Sequence, residues 1–176
     1  MRMMQRMTEA ELPLCLAFNR ISRRWLVNRL FAAVSRLGNG VFWYVLMAVL
    51  PLLYGPLGVR ASLHMALVGL LCLPLYKWLK QATLRDRPYT RDAAILQNVP
   101  PLDRFSFPSG HTMHAVAFTL ILAAYLPAWG WAVAPFTLLV ALSRLVLGLH
   151  YPSDVLAGAG IGAGVALVSL ALAGPY

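Results

Sequence analysis

The decisive stretch of this chain reads FPSGHTMHAVAFTLILAAYL, residues 107–126. A polar loop ends in this stretch and a long apolar run begins, with His111 at the junction. Polar groups are costly inside a bilayer, so a histidine at the start of an apolar helix indicates a functional role. Ser109 is a good helix N-cap, and Gly110 leaves backbone N–H groups open to an anion. The stretch therefore predicts a membrane helix that begins with an anion cradle and an acid–base group.

The composition predicts an integral membrane protein. Of the 176 residues, 60% are hydrophobic and only 12% are charged, whereas a soluble domain carries about 25% charged residues. The mean hydropathy is +0.67. The net charge of +9 comes mostly from residues beside apolar runs, which favours contact with the bilayer surface over nucleic-acid binding. We expect the lipid bilayer as a partner and no nucleic acid.

The chain divides into an N-terminal polar arm with an amphipathic interfacial helix, residues 1–36, and a membrane-embedded core, residues 37–176. Arginine at the bilayer centre costs about 2.5–3.5 kcal/mol, so the arginines within residues 12–36 exclude a simple span. We expect an interfacial helix anchored by Trp25. No cleavable signal peptide is expected, because residues 1–11 are polar and arginines interrupt the apolar stretch that follows.

The predicted fold class is all-α, a polytopic membrane helix bundle with five transmembrane helices. The prediction rests on five apolar runs that approach the roughly 20 residues needed to cross a bilayer. These runs are residues 40–54, 61–76, 110–126, 131–149 and 155–173. Five crossings place the N-terminal helix, the polar loop 81–107 and the turn 150–154 on one membrane face.

Two clusters of polar side chains on this face are candidates for a functional site. Lys80 and Arg87 flank a six-residue spacer, although snorkelling to the interface would explain both of them. The second cluster is Pro108-Ser109-Gly110-His111, for which an ordinary helix cap with an interfacial histidine is the alternative.

The third cluster is Ser143-Arg144, followed by His150 and Asp154. A carboxylate four residues after a histidine can orient the imidazole and make it a better nucleophile. An unpaired guanidinium in an apolar helix is expensive, so Arg144 is expected to have an anionic partner. The alternative to a phosphate partner is a structural ion pair between Arg144 and Asp154.

Together the clusters resemble the three signature motifs of the type-2 phosphatidic acid phosphatase superfamily: Lys-x6-Arg-Pro, Pro-Ser-Gly-His and Ser-Arg-x5-His-x3-Asp. The resemblance covers about residues 38–173 and leaves the N-terminal arm without a motif. Every specified position is matched, by Lys80, Arg87, Pro88, Pro108, Ser109, Gly110, His111, Ser143, Arg144, His150 and Asp154.

The resemblance implies metal-independent phosphoryl transfer through a phosphohistidine, with no cofactor. It assigns His150 as the nucleophile, Asp154 as the group that orients its imidazole, and His111 as the acid and later the base. The phosphate-binding residues that it implies are Lys80, Arg87, Ser109, Gly110 and Arg144. The sequence itself shows no acidic cluster able to hold a metal.

Some patterns resemble motifs of other protein classes. The segment from Gly158 to Ala163 fits a dinucleotide fingerprint, but no strand precedes it. The spacings of Gly158 with Gly162, and of Gly160 with Gly164, are better suited to close helix packing in a membrane. His111 and His114 could suggest a zinc pair, but further ligands are not evident. His64 is assigned no role, and the two cysteines, Cys15 and Cys72, are predicted to be buried free thiols.

The expected activity is hydrolysis of a lipid phosphomonoester or diphosphate, with undecaprenyl diphosphate preferred as substrate. Phosphatidylglycerophosphate, phosphatidate and lipid A are alternative substrates. A vanadium haloperoxidase-like enzyme and a non-catalytic lipid-binding protein are the alternatives from other classes. Of the 15 Lys and Arg residues, only Arg60 falls on the face opposite the predicted site, which favours a cytoplasmic site. The resemblance instead implies the inner membrane with a site facing the periplasm, which we adopt.

Overall fold

All regular structure in residues 2–175 of this computed structural model is helical, which confirms the all-α prediction. Side chains are described for residues 6–175, and the predicted domain ends Met1 and Tyr176 lie outside the described residues. The helices are α1 (Arg2–Ile21), α2 (Trp25–Arg36), α3 (Phe42–Thr83), α4 (Pro88–Arg91), α5 (Gly110–Tyr125), α6 (Pro127–Val146) and α7 (Pro152–Ala173), with a π-helical turn at Leu37–Val41.

Helix α5 lies at the centre of the bundle, in contact with α3, α6 and α7. It begins where the sequence predicts, because the Ser109 hydroxyl caps it by accepting a 3.4 Å hydrogen bond from the Thr112 N–H. Met113, Ile121 and Leu122 are fully buried. The decisive stretch therefore supplies the core helix of the bundle as well as one edge of the candidate site.

Helix α3 is bent at Gly55, which takes a φ of +54°. This left-handed conformation is one that glycine adopts without strain. The bend divides α3 into arms 42–54 and 56–83, where the sequence predicts a short turn between two spans. Three helical stretches are long and apolar enough to cross a membrane: Trp25–Arg91, Pro127–Val146 and Pro152–Ala173.

The N-terminal segment differs from its prediction. The polar arm is itself helical, and residues 12–36 form parts of two helices, because α1 ends at Ile21 and α2 begins at Trp25. Helix α1 packs on α6 and α7, and α2 packs on α6. This segment is thus part of the helical bundle.

The long polar loop is ordered by contacts with the N-terminal helices. The Asn19 side chain donates to the carbonyl oxygens of Leu96 and Val146 and accepts from the Leu96 N–H. Asn98 accepts from Asn28 at 2.6 Å and donates to the Ser22 hydroxyl at 2.8 Å. These bonds bring the N-terminal helices, the loop and the end of α6 together.

Close packing of α7 on α5 is confirmed at two of the four predicted glycines. A Cβ at Gly158 would lie 2.5 Å from the Ser109 carbonyl oxygen, and one at Gly162 would lie 2.3 Å from that of Met113. The same prediction for Gly160 and Gly164 is wrong, since no neighbouring atom among the described residues lies within 4 Å of either Cβ position. Both cysteines are buried and free, as predicted.

Candidate active site

The three motifs border a single cavity of about 440 Å³ on the face where the polar loop lies. Lys80 reaches it from the end of α3, Arg87 from the loop, Arg144 from α6, and His150 from the turn before α7. The second motif contributes the start of α5. The predicted site residues that line the cavity are Lys80, Arg87, Gly110, His111, Arg144 and His150.

Two predicted site residues, Ser109 and Asp154, lie behind this lining and are fully buried. The Ser109 hydroxyl lies 2.9 Å from the Thr112 hydroxyl, so it faces its own helix rather than the cavity. The Ser109 N–H donates to the Asp154 carbonyl oxygen at 2.9 Å. This bond ties the start of α5 to the first turn of α7 and so fixes the relative positions of the second and third motifs.

Arg87 orients the proposed nucleophile. Its Nη1 donates to the Leu149 carbonyl oxygen at 2.7 Å and lies 3.3 Å from His150 Nε2. A guanidinium can only donate hydrogen bonds, so this contact assigns Nε2 as the unprotonated ring nitrogen. The unprotonated Nε2 therefore faces the cation Arg87 and accepts a hydrogen bond from it.

Asp154 lies on the other side of the same imidazole. Its Oδ2 is 3.4 Å from His150 Nδ1 and accepts a 2.9 Å bond from the Tyr151 N–H. Because 3.4 Å exceeds the usual 2.7–3.2 Å for an N–H···O bond, the contact with His150 is electrostatic in this structure. Asp154 Oδ1 pairs with Arg85 at 2.6 Å.

Arg144 does not form the ion pair with Asp154 that the structural alternative predicts. Its Nη1 donates to the Ser35 hydroxyl of α2 at 2.5 Å, and Asp154 pairs with Arg85. The Arg144–Asp154 ion pair is therefore wrong. The guanidinium is buried and lines the cavity, where its positive charge is available to an anion.

A carboxylate that the sequence analysis did not select connects two of the cations. Asp103 Oδ1 lies 2.9 Å from Lys80 Nζ and 2.8 Å from Arg87 Nη2. Lys80 also donates to the Phe105 carbonyl oxygen at 2.6 Å. The loop thus supplies a counter-charge that holds both cations at the cavity in a fixed arrangement.

Burial lowers the pKa of His150 well below its usual value, and the cations Arg87, Arg144 and Lys80 lower it further. Both effects disfavour the imidazolium form, because a charged ring would be desolvated and placed beside like charges. His150 is therefore held as a neutral imidazole, which is the form that a nucleophile requires.

His111 faces the same cavity and has a partner that no motif contains. Its Nε2 contacts Asn39 Oδ1, from the π-helical turn between α2 and α3. His114 Nδ1 lies 2.8 Å from the Gly110 carbonyl oxygen, and its Nε2 lies 3.3 Å from that of Gly69. Both His114 ring nitrogens thus face backbone carbonyl oxygens. His64 hydrogen-bonds with Tyr125 and Ser169, each at 3.0 Å.

The cavity continues from the charged group into an apolar end. The residues of this end come from the two arms of α3 and from α5. Its walls include Trp43, Tyr44, Met47, Leu70, Leu73 and Phe118. The cavity has the polarity of an amphiphile, with cations at one end and aliphatic and aromatic side chains at the other.

Sequence reasoning missed Ser35, Asn39, Arg85 and Asp103 as parts of the site. Arg85 and Asp103 carried a signal, since both are charged residues in a long loop that was expected to be functional. Ser35 and Asn39 carried no signal of this kind in the sequence. They are ordinary polar residues in a segment without a motif, and only the packing of α2 on α6 brings them to the site.

The architecture and the site together define a membrane-embedded, phosphate-handling helical protein, and comparison with known proteins gives its family. Residues 57–174 match the model of the PAP2 superfamily, and the chain belongs to this family.

Among its relatives, the decaprenylphosphoryl-5-phosphoribose phosphatase of Mycolicibacterium smegmatis is 35% identical over 128 residues, which cover 72% of this chain and 68% of that protein. An undecaprenyl-diphosphatase of Sulfolobus acidocaldarius is 27% identical over 82% of this chain and 69% of that protein. Among solved structures, the PAP2-type phosphatidylglycerolphosphate phosphatase of Bacillus subtilis is similar, with a TM-score of 0.75 and 27% identity. That match covers 93% of this chain and 84% of the other.

Proposed function

We propose that this chain is a membrane lipid phosphatase that works through a phosphohistidine on His150 without a metal ion. The observation that carries the proposal is the single cavity in which His150 Nε2, three cations and an apolar end meet. Three fixed cations neutralise a phosphate group, and the apolar end accepts the first part of a lipid tail. The named activities of the relatives support the same class of reaction.

The proposed reaction has two steps. In the first, His150 Nε2 attacks phosphorus in line, the P–N bond forms, and the P–O bond to the leaving group breaks. His111 donates its proton to the leaving oxygen, and Asp154 stabilises the positive charge on the imidazole. In the second step, water attacks phosphorus, His111 takes a proton from the water, and the P–N bond breaks to release inorganic phosphate. Lys80, Arg87, Arg144 and the Gly110 N–H stabilise the charge on the phosphoryl oxygens.

We propose a polyprenyl-linked phosphate as the substrate, with undecaprenyl diphosphate first. Two relatives, from Mycolicibacterium smegmatis and Sulfolobus acidocaldarius, bear names that specify decaprenyl and undecaprenyl substrates, which supports this class. The apolar end of the cavity, which includes Ala66 and Gly69, can accept the first part of a hydrocarbon chain. Phosphatidylglycerophosphate, phosphatidate and lipid A remain the comparison substrates.

For the membrane arrangement we propose five crossings: the two arms of α3, then α5, α6 and α7. Helix α5 has 16 residues, fewer than the roughly 20 usually needed, but its neighbours enclose it. Helix α2 exposes Trp25, Leu26 and Leu30, which supports a position in the interface.

We further propose the inner membrane with the site facing the periplasm. Lys80, Arg87 and Arg144 line the cavity, and Arg85 is bonded inside the fold. Those four basic residues have roles that need no cytoplasmic placement. They therefore weaken the argument from charge bias for a cytoplasmic site.

The test is phosphate release by the purified chain from a panel of lipid phosphates, in detergent with EDTA present. We expect turnover of a polyprenyl diphosphate in EDTA, and a loss of about 10³-fold or more in His150→Ala. His64→Gln is the matched control, because His64 bonds with Tyr125 and Ser169 away from the cavity. Activity that vanishes in EDTA and returns with Mg²⁺ would contradict the metal-free mechanism. Halide oxidation with vanadate, or lipid binding without turnover, would favour the alternative classes.

A further inference from the structure

The orienting carboxylate of the proposed reaction is itself held by a buried arginine. Asp154 Oδ1 accepts from Arg85 Nη1 at 2.6 Å, while Oδ2 accepts from the Tyr151 N–H and faces His150. The Arg85 side chain is 2% exposed and that of Asp154 is fully enclosed. Because Arg85 engages one oxygen only, the other stays directed at the imidazole.

Helix α1 fixes the position of Arg85. Glu11 Oε2 accepts from Arg85 Nη2 at 2.7 Å, and the Thr8 hydroxyl accepts from Arg85 Nε at 3.2 Å. The guanidinium also lies over the Tyr151 ring, 3.9 Å from its centroid. All three guanidinium nitrogens therefore have partners, two of them on α1.

Glu11 also forms hydrogen bonds with the turn that contains His150 and Asp154. Its Oε1 accepts from the Ser153 N–H at 2.9 Å, and its Oε2 accepts from the Ser153 hydroxyl at 2.7 Å. Ser153 lies between His150 and Asp154 in the chain and also accepts from Arg85 Nη1 at 2.6 Å. One carboxylate of α1 thus holds both the arginine and the backbone of the third motif.

The charges explain why two carboxylates are needed. A buried arginine paired with Asp154 alone would neutralise it and weaken its effect on the His150 ring. Glu11 shares the positive charge of Arg85, so the group of Glu11, Arg85 and Asp154 keeps one net negative charge beside the imidazole. That negative charge stabilises the imidazole when it becomes positive during attack on phosphorus.

We propose that Glu11 and Arg85 are positioning residues for the Asp154–His150 pair, so that helix α1 belongs to the catalytic apparatus. The inference rests on the proposed function. Glu11 lies outside residues 57–174, the part of the chain that the family model matches.

The experiment compares Glu11→Ala, Glu11→Gln and Arg85→Lys in the full chain, purified in detergent with the lipid that the wild type hydrolyses best. A displacement of about 1 Å can cost about 10²-fold in rate. We expect Glu11→Ala to lower kcat by about 10- to 100-fold, with KM changed less than about threefold. Glu11→Gln can still accept from the Ser153 N–H through its one carbonyl oxygen, and it is expected to recover part of the loss. Glu9→Ala is the matched control, because Glu9 is exposed on the same helix.

A second readout separates positioning from general stability. In an Asp154→Asn background, Glu11→Ala is expected to cause little further loss of kcat, because residues that act through one another are not additive. Normal kcat in Glu11→Ala with a lower Tm would overturn the proposal, as would equal effects of Glu11→Ala in both backgrounds.

The two proposals fail in different ways. If the wild type hydrolyses no lipid phosphate, the proposed function is wrong, and so is the positioning role of Glu11 and Arg85. If the wild type is active and His150→Ala is inactive, but Glu11→Ala and Arg85→Lys match Glu9→Ala, only the positioning role is wrong.

Discussion

At the scale of single residues, His150 shows how burial and charge select a protonation state. The neutral imidazole is favoured because Arg87, Arg144 and Lys80 oppose a positive ring, and because burial removes the water that would solvate it. The cations that we propose as phosphate ligands therefore also favour the neutral form of the proposed nucleophile. A free histidine, with a pKa near 6.5, would be largely protonated at mildly acidic pH.

The pH dependence of the reaction should follow from this lowered pKa. Because the folded pKa lies below the usual value, neutral His150 persists as pH falls through 6.5, and activity is lost only when pH falls through the lowered pKa. Lys80→Met removes one positive charge, so we expect the acidic limb of kcat/KM to move towards neutral pH. Both enzymes are measured on the same substrate, so that the ionisation of the substrate contributes equally to the two pH profiles.

The matched control for this prediction is Lys77→Met, since Lys77 is exposed on the same helix and does not line the cavity. Its acidic limb should coincide with that of the wild type. A Lys80→Met profile that also coincides with the wild type would show that the cations do not set the protonation of the nucleophile.

Asp103 illustrates competition between a protein carboxylate and a substrate anion. It holds Lys80 and Arg87 at 2.9 and 2.8 Å, yet its side chain is 35% exposed and can turn away. A phosphate that binds these cations has to displace it. We expect Asp103→Asn to lower KM by about three- to tenfold, which corresponds to about 1 kcal/mol of lost competition.

Steady-state kinetics on one lipid substrate would measure this change. Asp92→Asn is the control, because Asp92 lies in the same loop and accepts from the Ala94 N–H. An increase in KM for Asp103→Asn would mean that Asp103 arranges the cations for phosphate rather than competing with it.

At the scale of helices, α5 and α7 approach closely because glycines remove the side chains between them. The Cβ added by Gly162→Ala would lie 2.3 Å from the Met113 carbonyl oxygen, a backbone atom that cannot move cheaply. Overpacking of this kind costs about 1–3 kcal/mol. We expect the apparent Tm in detergent to fall by about 3–10 °C in Gly162→Ala.

Gly160→Ala is the control for this prediction, because no neighbouring atom lies within 4 Å of its Cβ position in the described chain. Alanine is also the better helix former, so this variant should match or exceed the wild-type Tm. Equal Tm values for the two variants would contradict the packing explanation.

The polar contacts of the N-terminal helices could not be predicted from their composition. Arginines and a tryptophan in residues 12–36 are typical of an interfacial helix, and α2 does expose Trp25 and Leu26. However, the same segment supplies Ser35 to Arg144, and α1 supplies Glu11 to Arg85. Hydrophobic patterning describes which side of a helix meets lipid, but it does not reveal which polar residue bonds to a distant element.

At the scale of the whole molecule, the parity of the crossings determines where the two ends of the chain lie. With the five proposed crossings, the end of α7 lies on the face opposite the site, where Ala173 and Pro175 border the same small cavity as Arg60. If the site faces the periplasm, a green fluorescent protein fused after Tyr176 should fluoresce, and an alkaline phosphatase fused there should be inactive. Strong alkaline phosphatase activity at this position would place the site in the cytoplasm instead.

The sequence by itself determined the helical class, the start of α5 and the motif residues that line the cavity. These features depend on local chemistry and spacing: an apolar run, a capping serine, and polar residues at the spacings of the three motifs. These patterns can be recognised without knowledge of the three-dimensional contacts. The sequence alone therefore selected Lys80, Arg87, His111, Arg144 and His150.

Only the tertiary structure decided which groups surround that set. The roles of Glu11, Ser35, Asn39 and Asp103 arise from contacts between elements far apart in the chain, as in the 2.7 Å bond from Arg85 to Glu11. A single polar residue leaves no periodic signal, because its partner is chosen by how helices pack and not by its sequence neighbours. For that reason the sequence predicted the candidate reacting groups, whereas the packing of α1 and α2 on α6 and α7 determined what holds those groups in place.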